Sequence, residues 1–303
     1  MELRLLRYFV VVAEELHLAR AAGRLGIDQS PLSRAMRDLE QALGVALFDR
    51  SQRQLTRLTW AGQVLVGESR RALATLDQAI HATKGAAQGY QSYLRIAVCD
   101  SLVQPQIATL LARSREEEPE LEIRVFELPF SQQLKGLHAE LLDVGFALSG
   151  SVNDGLVAEP VWTDPLSVIV PARHPLLAHK EVKLADAVMF PLVLFHPDAA
   201  SGCHDQIQAV LDGAELPLKV VDHVTSQGVM LTLVAAGYGI GFASASQVQA
   251  LNRPDIATRP LAGTPPMLST YLVRRGGEPS EPLTRFIRRV KRLSASPSDE
   301  ASA

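Results

Sequence analysis

The chain has 303 residues, 47% hydrophobic and 21% charged, a balance that fits a folded protein of about two domains, each large enough for its own core. Its longest apolar stretches, FVVVA (9–13) and LSVIV (166–170), fall far short of the roughly 18 residues that a membrane span needs. The start MELRLLR has an acidic Glu2 and no small-residue cleavage site, which argues against a secretory signal and for the cytoplasm. The net charge of −3 is uneven: residues 1–88 hold 12 Lys or Arg against 9 Asp or Glu, the remainder 18 against 24. The positive end is therefore the place to look for a polyanion reader. With only Cys99 and Cys203 and no CxxC pair, the sequence contains no disulfide framework and no structural zinc motif.

Residues 3–16 place Leu6, Phe9, Val10, Ala13 and Leu16 at helical spacing. A second helix near Leu18–Leu25 carries small Ala21 and Ala22, and Gly26 ends it, since glycine tolerates the left-handed turn. His17 stands at its start, where a better N-cap residue is common, at some cost in stability. Ser30 and Pro31 suit the N-cap and first position of a third helix, whose inward stripe is Leu32, Ala35, Met36, Leu39 and Leu43. The opposite face presents Gln29, Ser33, Arg34 and Arg37: an amide suited to adenine edges, a hydroxyl, and guanidiniums suited to guanine edges or phosphates. A solvated polar face on an ordinary three-helix unit is the competing account. The basic segment Phe48–Thr59, with Arg50, Arg53 and Arg57, then has the character of a wing that crosses the DNA backbone or enters the minor groove.

Taken together, MELRxLRYFVxVAEE, RAAxRLxIxQSPLSRAxRxLE, LGVxLFxR and LTxAG resemble the winged helix-turn-helix of LysR-type transcriptional regulators. The resemblance implies double-stranded promoter DNA as partner, with Gln29, Ser30, Pro31, Ser33, Arg34 and Arg37 facing DNA and Arg50 and Arg53 on the wing. The wing is one residue longer than usual for the family, which bears on where Arg53 and Arg57 fall. From Trp60 to about Ala87, Val64, Ala72 and Ala79 recur at about a seven-residue step, with Leu65, Leu76, Ile80 and Thr83 nearby. This reads as one long helix with a narrow apolar seam, suited to pairing with a second subunit. In the resembled family it is the dimerising linker, which implies a homodimer and, beyond it, a homotetramer.

After Tyr93 strands and helices alternate: LRIAV, a helix over 103–114, LEIRVFEL, a helix over 132–142, DVGFAL, then LSVIV, LVLF, a helix over 204–211, LKVVDHV, a helix over 228–236 and GIGFAS. LSTYLVRR returns to the first half and PLTRFIRRVKRL closes as an amphipathic helix. The expected fold class is thus an α+β multidomain chain: winged helix-turn-helix (1–59), linker helix (60–88) and effector-binding domain (93–303). The last is expected to be a two-subdomain α/β domain resembling a type 2 periplasmic binding protein, with halves at about 93–162 plus 265–303 and about 163–264.

Ligands in such sheets sit beyond the carboxyl ends of strands, facing helix N-termini that favour anions. That rule selects Cys99 and Ser101, then Phe130 and Ser131, then His196, Ser201 and Cys203, and finally Thr225 and Ser226. The hydroxyls suit a small polar or anionic effector, yet each is equally a plain N-cap, the simpler account for any one of them. Asp100 argues against a simple anion site at its corner. The glycine run 237–241 has a helix before it and a strand after it, the reverse of a dinucleotide fingerprint, so it reads as a turn. His196, Cys203, His204 and His223 match no compact metal-ligand spacing, no catalytic constellation is recognisable, and no cofactor is expected. Cys203 falls where oxidant-sensing members of the resembled family carry a reactive cysteine, which makes a thiol-responsive regulator the alternative. A buried or pocket-lining cysteine is the better reading, because no partner cysteine lies near it in sequence. A metabolite-binding protein without DNA function is the remaining alternative, and the 17–62 block opposes it. The resulting expectation is a non-enzymatic regulator whose effector alters the placement of paired DNA readers, and with it DNA bending or RNA polymerase contact.

Overall fold

A computed structural model describes residues 2–49, 57–87, 89–90, 92–99, 105–197, 201–213, 217–250 and 252–294. The chain divides into two compact units, Met1–Gln88 and Gly89–Ala303.

In the first unit, α1 (Leu3–Glu15), α2 (Leu18–Leu25) and α3 (Gln29–Leu43) are followed by β1 (Phe48–Asp49), β2 (Arg57–Leu58) and α4 (Trp60–Ala87). Leu6, Phe9, Val12, Ala21, Ala22, Leu32, Met36, Leu39, Leu47 and Phe48 form one buried cluster, in which Phe9 meets Phe48 edge-on at 5.5 Å. The two alanines let α2 approach its neighbours closely, and Gly26, with φ +66°, turns the chain from α2 toward α3. His17 does cap α2, accepting a hydrogen bond from Arg20 N at Nδ1 (3.4 Å), so the expected capping deficit is partly met. Helix α3 starts two residues earlier than expected: Asp28 is its N-cap, and Ser30 and Pro31 lie inside the first turn. Pro31 is tolerated there because first-turn N–H groups have no intrahelical acceptor. Leu43, expected on the inward stripe, is exposed as the last residue of the helix.

Strands β1 and β2 pair antiparallel, Phe48 opposite Leu58 and Asp49 opposite Arg57, so the two ends of the basic segment lie side by side as the legs of a hairpin. Arg50, Arg53 and the wing's additional residue lie outside the described residues. Helix α4 is continuous over 28 residues. Its Leu65, Val66 and Leu73 pack on the unit's own core, whereas Val64 (49% exposed), Ala72, Ala79 and Ile80 (41%) face outward.

In the second unit the order is β3 (Ser92–Val98), α5 (Pro105–Glu117), β4 (Leu121–Glu127), α6 (Phe130–His138), β5 (Val144–Ala147), β6 (Leu156–Pro171), a 3-10 turn (Pro175–Ala178), α7 (Leu184–Ala187) and β7 (Leu192–Phe195). It continues with α8 (Ser201–Asp212), β8 (Val220–Val224), α9 (Gln227–Ala235), β9 (Gly241–Ser244), α10 (Ala245–Ala250), β10 (Ile256–Pro260), β11 (Met267–Arg275) and α11 (Glu281–Ser294). Strands β4, β3 and β5 run parallel, and β11 joins them antiparallel against β5. Strand β6 changes partners along its length: Leu156–Pro165 lie beside β11, while Leu166–Pro171 lie beside β9 and β10. It thereby runs from one α/β half into the other, whose parallel pair is β7 and β8.

The strand expected over 166–170 is part of a longer one: eleven further residues of β6 lie outside it, ten of them before Leu166, where Pro160 and Pro165 interrupt the strand pattern. Their missing N–H groups are accommodated because the first half of β6 is paired with β11 along one side alone among the named strands. Strand β10 was not expected either, and α6 ends at His138 rather than 142, two residues before Glu140 takes a left-handed φ of 58°. Phe146 stacks on Trp162 at 5.2 Å and meets Phe286 of α11 edge-on, so the first half's core joins β5, β6 and the closing helix.

Candidate functional site

Helix α3 is divided lengthwise. Leu32, Met36 and Leu39 are at most 2% exposed. Gln29, Ser30, Pro31, Arg34 and Arg37 are exposed on the other side, and Ser33 is half-buried. Arg37 Nε donates to the Ser33 carbonyl at 3.4 Å, which lays its guanidinium back along the helix. All six residues expected to face DNA on α3 thus lie within about two and a half turns of one helix.

The hairpin is fixed to this helix by Glu40, which belongs to no chemical motif in the sequence. Glu40 Oε1 accepts hydrogen bonds from Leu47 N (2.8 Å) and Phe48 N (3.2 Å). Its place in the quoted RAxRxLE pattern is the only signal of this in the sequence. On the far side, Thr59 Oγ1 donates to the Ala46 carbonyl (2.8 Å) and accepts from Gly62 N (3.0 Å), capping α4. A Cβ on Gly62 would lie 2.2 Å from the Leu47 carbonyl oxygen, so glycine is required for α4 to pass this close to the hairpin. Glu14 of α1 bridges Arg24 of α2 and Arg70 of α4, each at 2.9 Å. Burial alone would raise its carboxyl, but the two arginines outweigh that and hold it below its ordinary value.

The second candidate site lies where the second unit's strands end. Cys99 follows β3 and is half-buried. Phe130, half-buried, and Ser131, exposed, form the first turn of α6 behind the N-cap Pro129. His196 follows β7, its N donating to the Val224 carbonyl of β8 (2.8 Å), and its ring stands 6.4 Å from that of His223. Ser226 caps α9, its Oγ accepting from Val229 N at 3.3 Å, while Thr225 beside it is exposed. Ser226 is thus occupied in the plain N-cap role. Ser201 opens α8, and Ser101 and the side chain of Ser201 lie outside the described residues.

Cys203 is 3% exposed. Burial pushes its thiol far above the ordinary range, and Cys99 pushes it further, which suits packing and opposes thiolate chemistry. Cys99, remote in sequence, is near enough in the fold to add to that rise, and among the described residues neither cysteine is in a disulfide. His204 Nδ1 is bonded to the Phe195 carbonyl at 2.8 Å. Among the described residues no three His, Cys, Asp or Glu side chains are grouped to hold a metal, and no helix is long and apolar enough to cross a membrane.

Helix α8 also connects the halves. A Cβ on Gly202 would lie 2.7 Å from Leu148 C and 2.8 Å from Ser149 N, so its first turn rests directly on the chain leaving β5. The Gln206 carboxamide donates to the carbonyls of Leu148 and Ser269 and accepts from Ser269 N.

Two family models match: the bacterial regulatory helix-turn-helix protein of the lysR family over residues 3–63, and the LysR substrate binding domain over residues 87–295. The chain is 33% identical to the HTH-type transcriptional regulator YnfL of Escherichia coli over 81% of its own length and 82% of that protein. It is 30% identical to the HTH-type transcriptional regulator IlvR of Caulobacter vibrioides over 98% and 100%. Its fold is similar to full-length CbnR, a LysR family regulator, in complex with its target DNA: TM-score 0.78, 28% identity, 97% of this chain and 100% of that one. The two matched models cover the helix-turn-helix and nearly all of the second unit, and the chain belongs to the LysR family as a DNA-binding transcriptional regulator with an effector-binding domain.

Proposed function

We propose that residues 1–59 bind promoter DNA, with Gln29, Ser30, Pro31, Ser33, Arg34 and Arg37 entering the major groove and the wing, with Arg50 and Arg53, contacting the flanking backbone. The observation that carries this reading is the division of α3 into a buried apolar side and an exposed side of amide, hydroxyl and guanidinium groups. Residues 60–88 pair two chains: α4 leaves Val64, Ala72, Ala79 and Ile80 uncovered by its own unit, in steps of eight, seven and one. The solved complex of CbnR with its target DNA supports the DNA reading.

Residues 93–303 take a small polar or anionic effector between the halves, against Cys99, Ser101, Phe130, Ser131, His196, Ser201, Cys203, Thr225 and Ser226. Closure of the halves changes how a dimer, assembled into a tetramer, holds its DNA readers on the promoter and meets RNA polymerase. The protein acts in the cytoplasm and catalyses no reaction. The test is a gel shift on DNA from the gene's own upstream region. Arg34→Ala is expected to weaken specific binding by about 1–3 kcal/mol and relax preference at one position. Unchanged affinity and sequence preference would refute the assignment of the face.

A further inference from the structure

We infer that Gln206 is the pin through which the N-terminus of α8 sets the placement of the two halves, and so transmits cleft occupancy to the rest of the regulator. The inference rests on the reading of that cleft as the effector site.

The ladder between β5 and β11 is unfinished. Strand β11 pairs with β5 at Tyr271–Ala147, Leu272–Phe146 and Val273–Gly145. Continued by two residues, the register would set Ser269 opposite Ser149. Strand β5 instead ends at Ala147, and the chain turns away at Leu148. Ser269 still pairs with β6 through Thr163, but its edge toward β5 lacks a strand. The Gln206 carboxamide fills that place. Its Nε2 donates to the Ser269 carbonyl (2.9 Å) and to the Leu148 carbonyl, and its Oε1 accepts from Ser269 N (2.7 Å). One side chain thus plays the part of a peptide group between β5 and β11, using both of its donors and one acceptor position.

Strands β5 and β11 belong to the first half, whereas α8 follows β7 of the second. Gln206 lies four residues after Gly202 and three after Cys203, on the same helical face. Gly202 has no room to move toward the first half, since Leu148 and Ser149 backbone atoms already occupy the space a methyl would take. A ligand that displaces the first turn of α8 therefore has two mechanical outcomes: it moves β5 and β11 with the helix, or it breaks three hydrogen bonds. Either outcome couples the cleft to strands outside it.

The test uses the full chain with no ligand added. Gln206→Leu keeps the side chain's size and removes all three bonds; Gln206→Glu retains an acceptor for Ser269 N and loses both donors. Exchange of the Ser269 amide is expected to quicken about tenfold in Gln206→Leu, the change that about 1.4 kcal/mol makes to an opening equilibrium. In both variants the bend angle of upstream DNA, read from circularly permuted fragments, is expected to shift while affinity stays within about threefold. A purely local strand tie would quicken exchange and leave the bend alone, and that result overturns the inference. If Gln206→Glu shows no cooperative unfolding, the neutral Gln206→Leu decides by the same bend measurement. A parent chain that fails to bind its upstream DNA refutes the functional reading instead. In that case a Ser269 amide as slow in the variants as in the parent overturns the pin separately.

Discussion

Removing the carboxylate of Glu40 separates the architecture of the DNA-reading unit from its proposed DNA contacts, because Glu40 anchors the hairpin from the last turn of α3, beyond Arg37. Its Oε1 receives two backbone N–H groups, Leu47 at 2.8 Å and Phe48 at 3.2 Å, both from residues that are themselves buried. A hydrogen bond to a charged group contributes about 1.5–3 kcal/mol net and one between neutral groups about 0.5–1.5. Glu40 is half-buried, so the lower bound applies: Glu40→Ala is expected to cost about 3 kcal/mol, and Glu40→Gln, which keeps an acceptor oxygen, about 1–2. Urea unfolding of the full chain, followed by far-ultraviolet circular dichroism, measures the stability change. Affinity for upstream DNA should fall in the same order, although Glu40 does not belong to the exposed face. Equal losses for Ala and Gln, or an unchanged transition in both, would refute the two-bond anchor.

The close passage of α4 over the hairpin gives a steric counterpart. Gly62→Ala puts a methyl 2.2 Å from the Leu47 carbonyl oxygen, and overpacking of this kind costs about 1–3 kcal/mol. A melting temperature and DNA affinity equal to the parent's would show that the contact relaxes freely. In the second unit, Arg289, 4% exposed, holds Glu117 at 2.7 Å and Glu118 at 2.9 Å, and Arg285 also binds Glu118. Arg289 and Arg292 hold Glu117 below the ordinary carboxylate value. For Glu118, burial opposes the same effect from Arg289 and Arg285 but does not cancel it. Carboxyls lowered on folding stabilise the fold above their unfolded value, near 4.5, and that contribution fades as pH drops through the lower folded value. Unfolding midpoints should therefore fall on acidification below about 4.5, and less steeply in Arg289→Met. An identical pH slope in the variant would exclude this pairing as the cause.

What was legible in the sequence is what repeats or punctuates. The period of Leu32, Met36 and Leu39 placed the buried side of α3, and its complement, Gln29 through Arg37, is the exposed side. Glycine at 26 marked the turn between α2 and α3, and alternating buried strands and helices announced the two α/β halves. The failures share a cause. Strand β6 was cut short because Pro160 and Pro165 are judged locally as strand breakers, whereas what permits them is the absence of a named second neighbour, a property of topology. Ser30 has the local signature of a cap, because serine before proline is a strong local signal. The backbone enters the helix at Asp28, and nothing in the spacing distinguishes the two.

The residues that hold the sites in place were the least visible, for a physical reason. Glu40 satisfies backbone groups of Leu47 and Phe48, beyond the end of its own helix, while Gln206 and Asp164 satisfy groups far away in sequence: Leu148 and Ser269, Ser244 and Ser246. None has a periodicity, since a polar tie is needed once, at the place where a ladder or a helix end leaves donors open. Their identity is dictated by the partner's geometry: a carboxylate where two N–H groups converge, and a carboxamide where a strand edge offers both a donor and an acceptor. Thus Gln206 is the only one of the three that a carboxylate cannot replace, because two of its bonds end on carbonyl oxygens that repel a negative charge. The same reasoning ranks the substitutions: charge removal should be the milder change at Glu40, and charge introduction the harsher one at Gln206. A regulator in which Gln206→Glu behaved as the parent would show that the cleft and the two strands move independently.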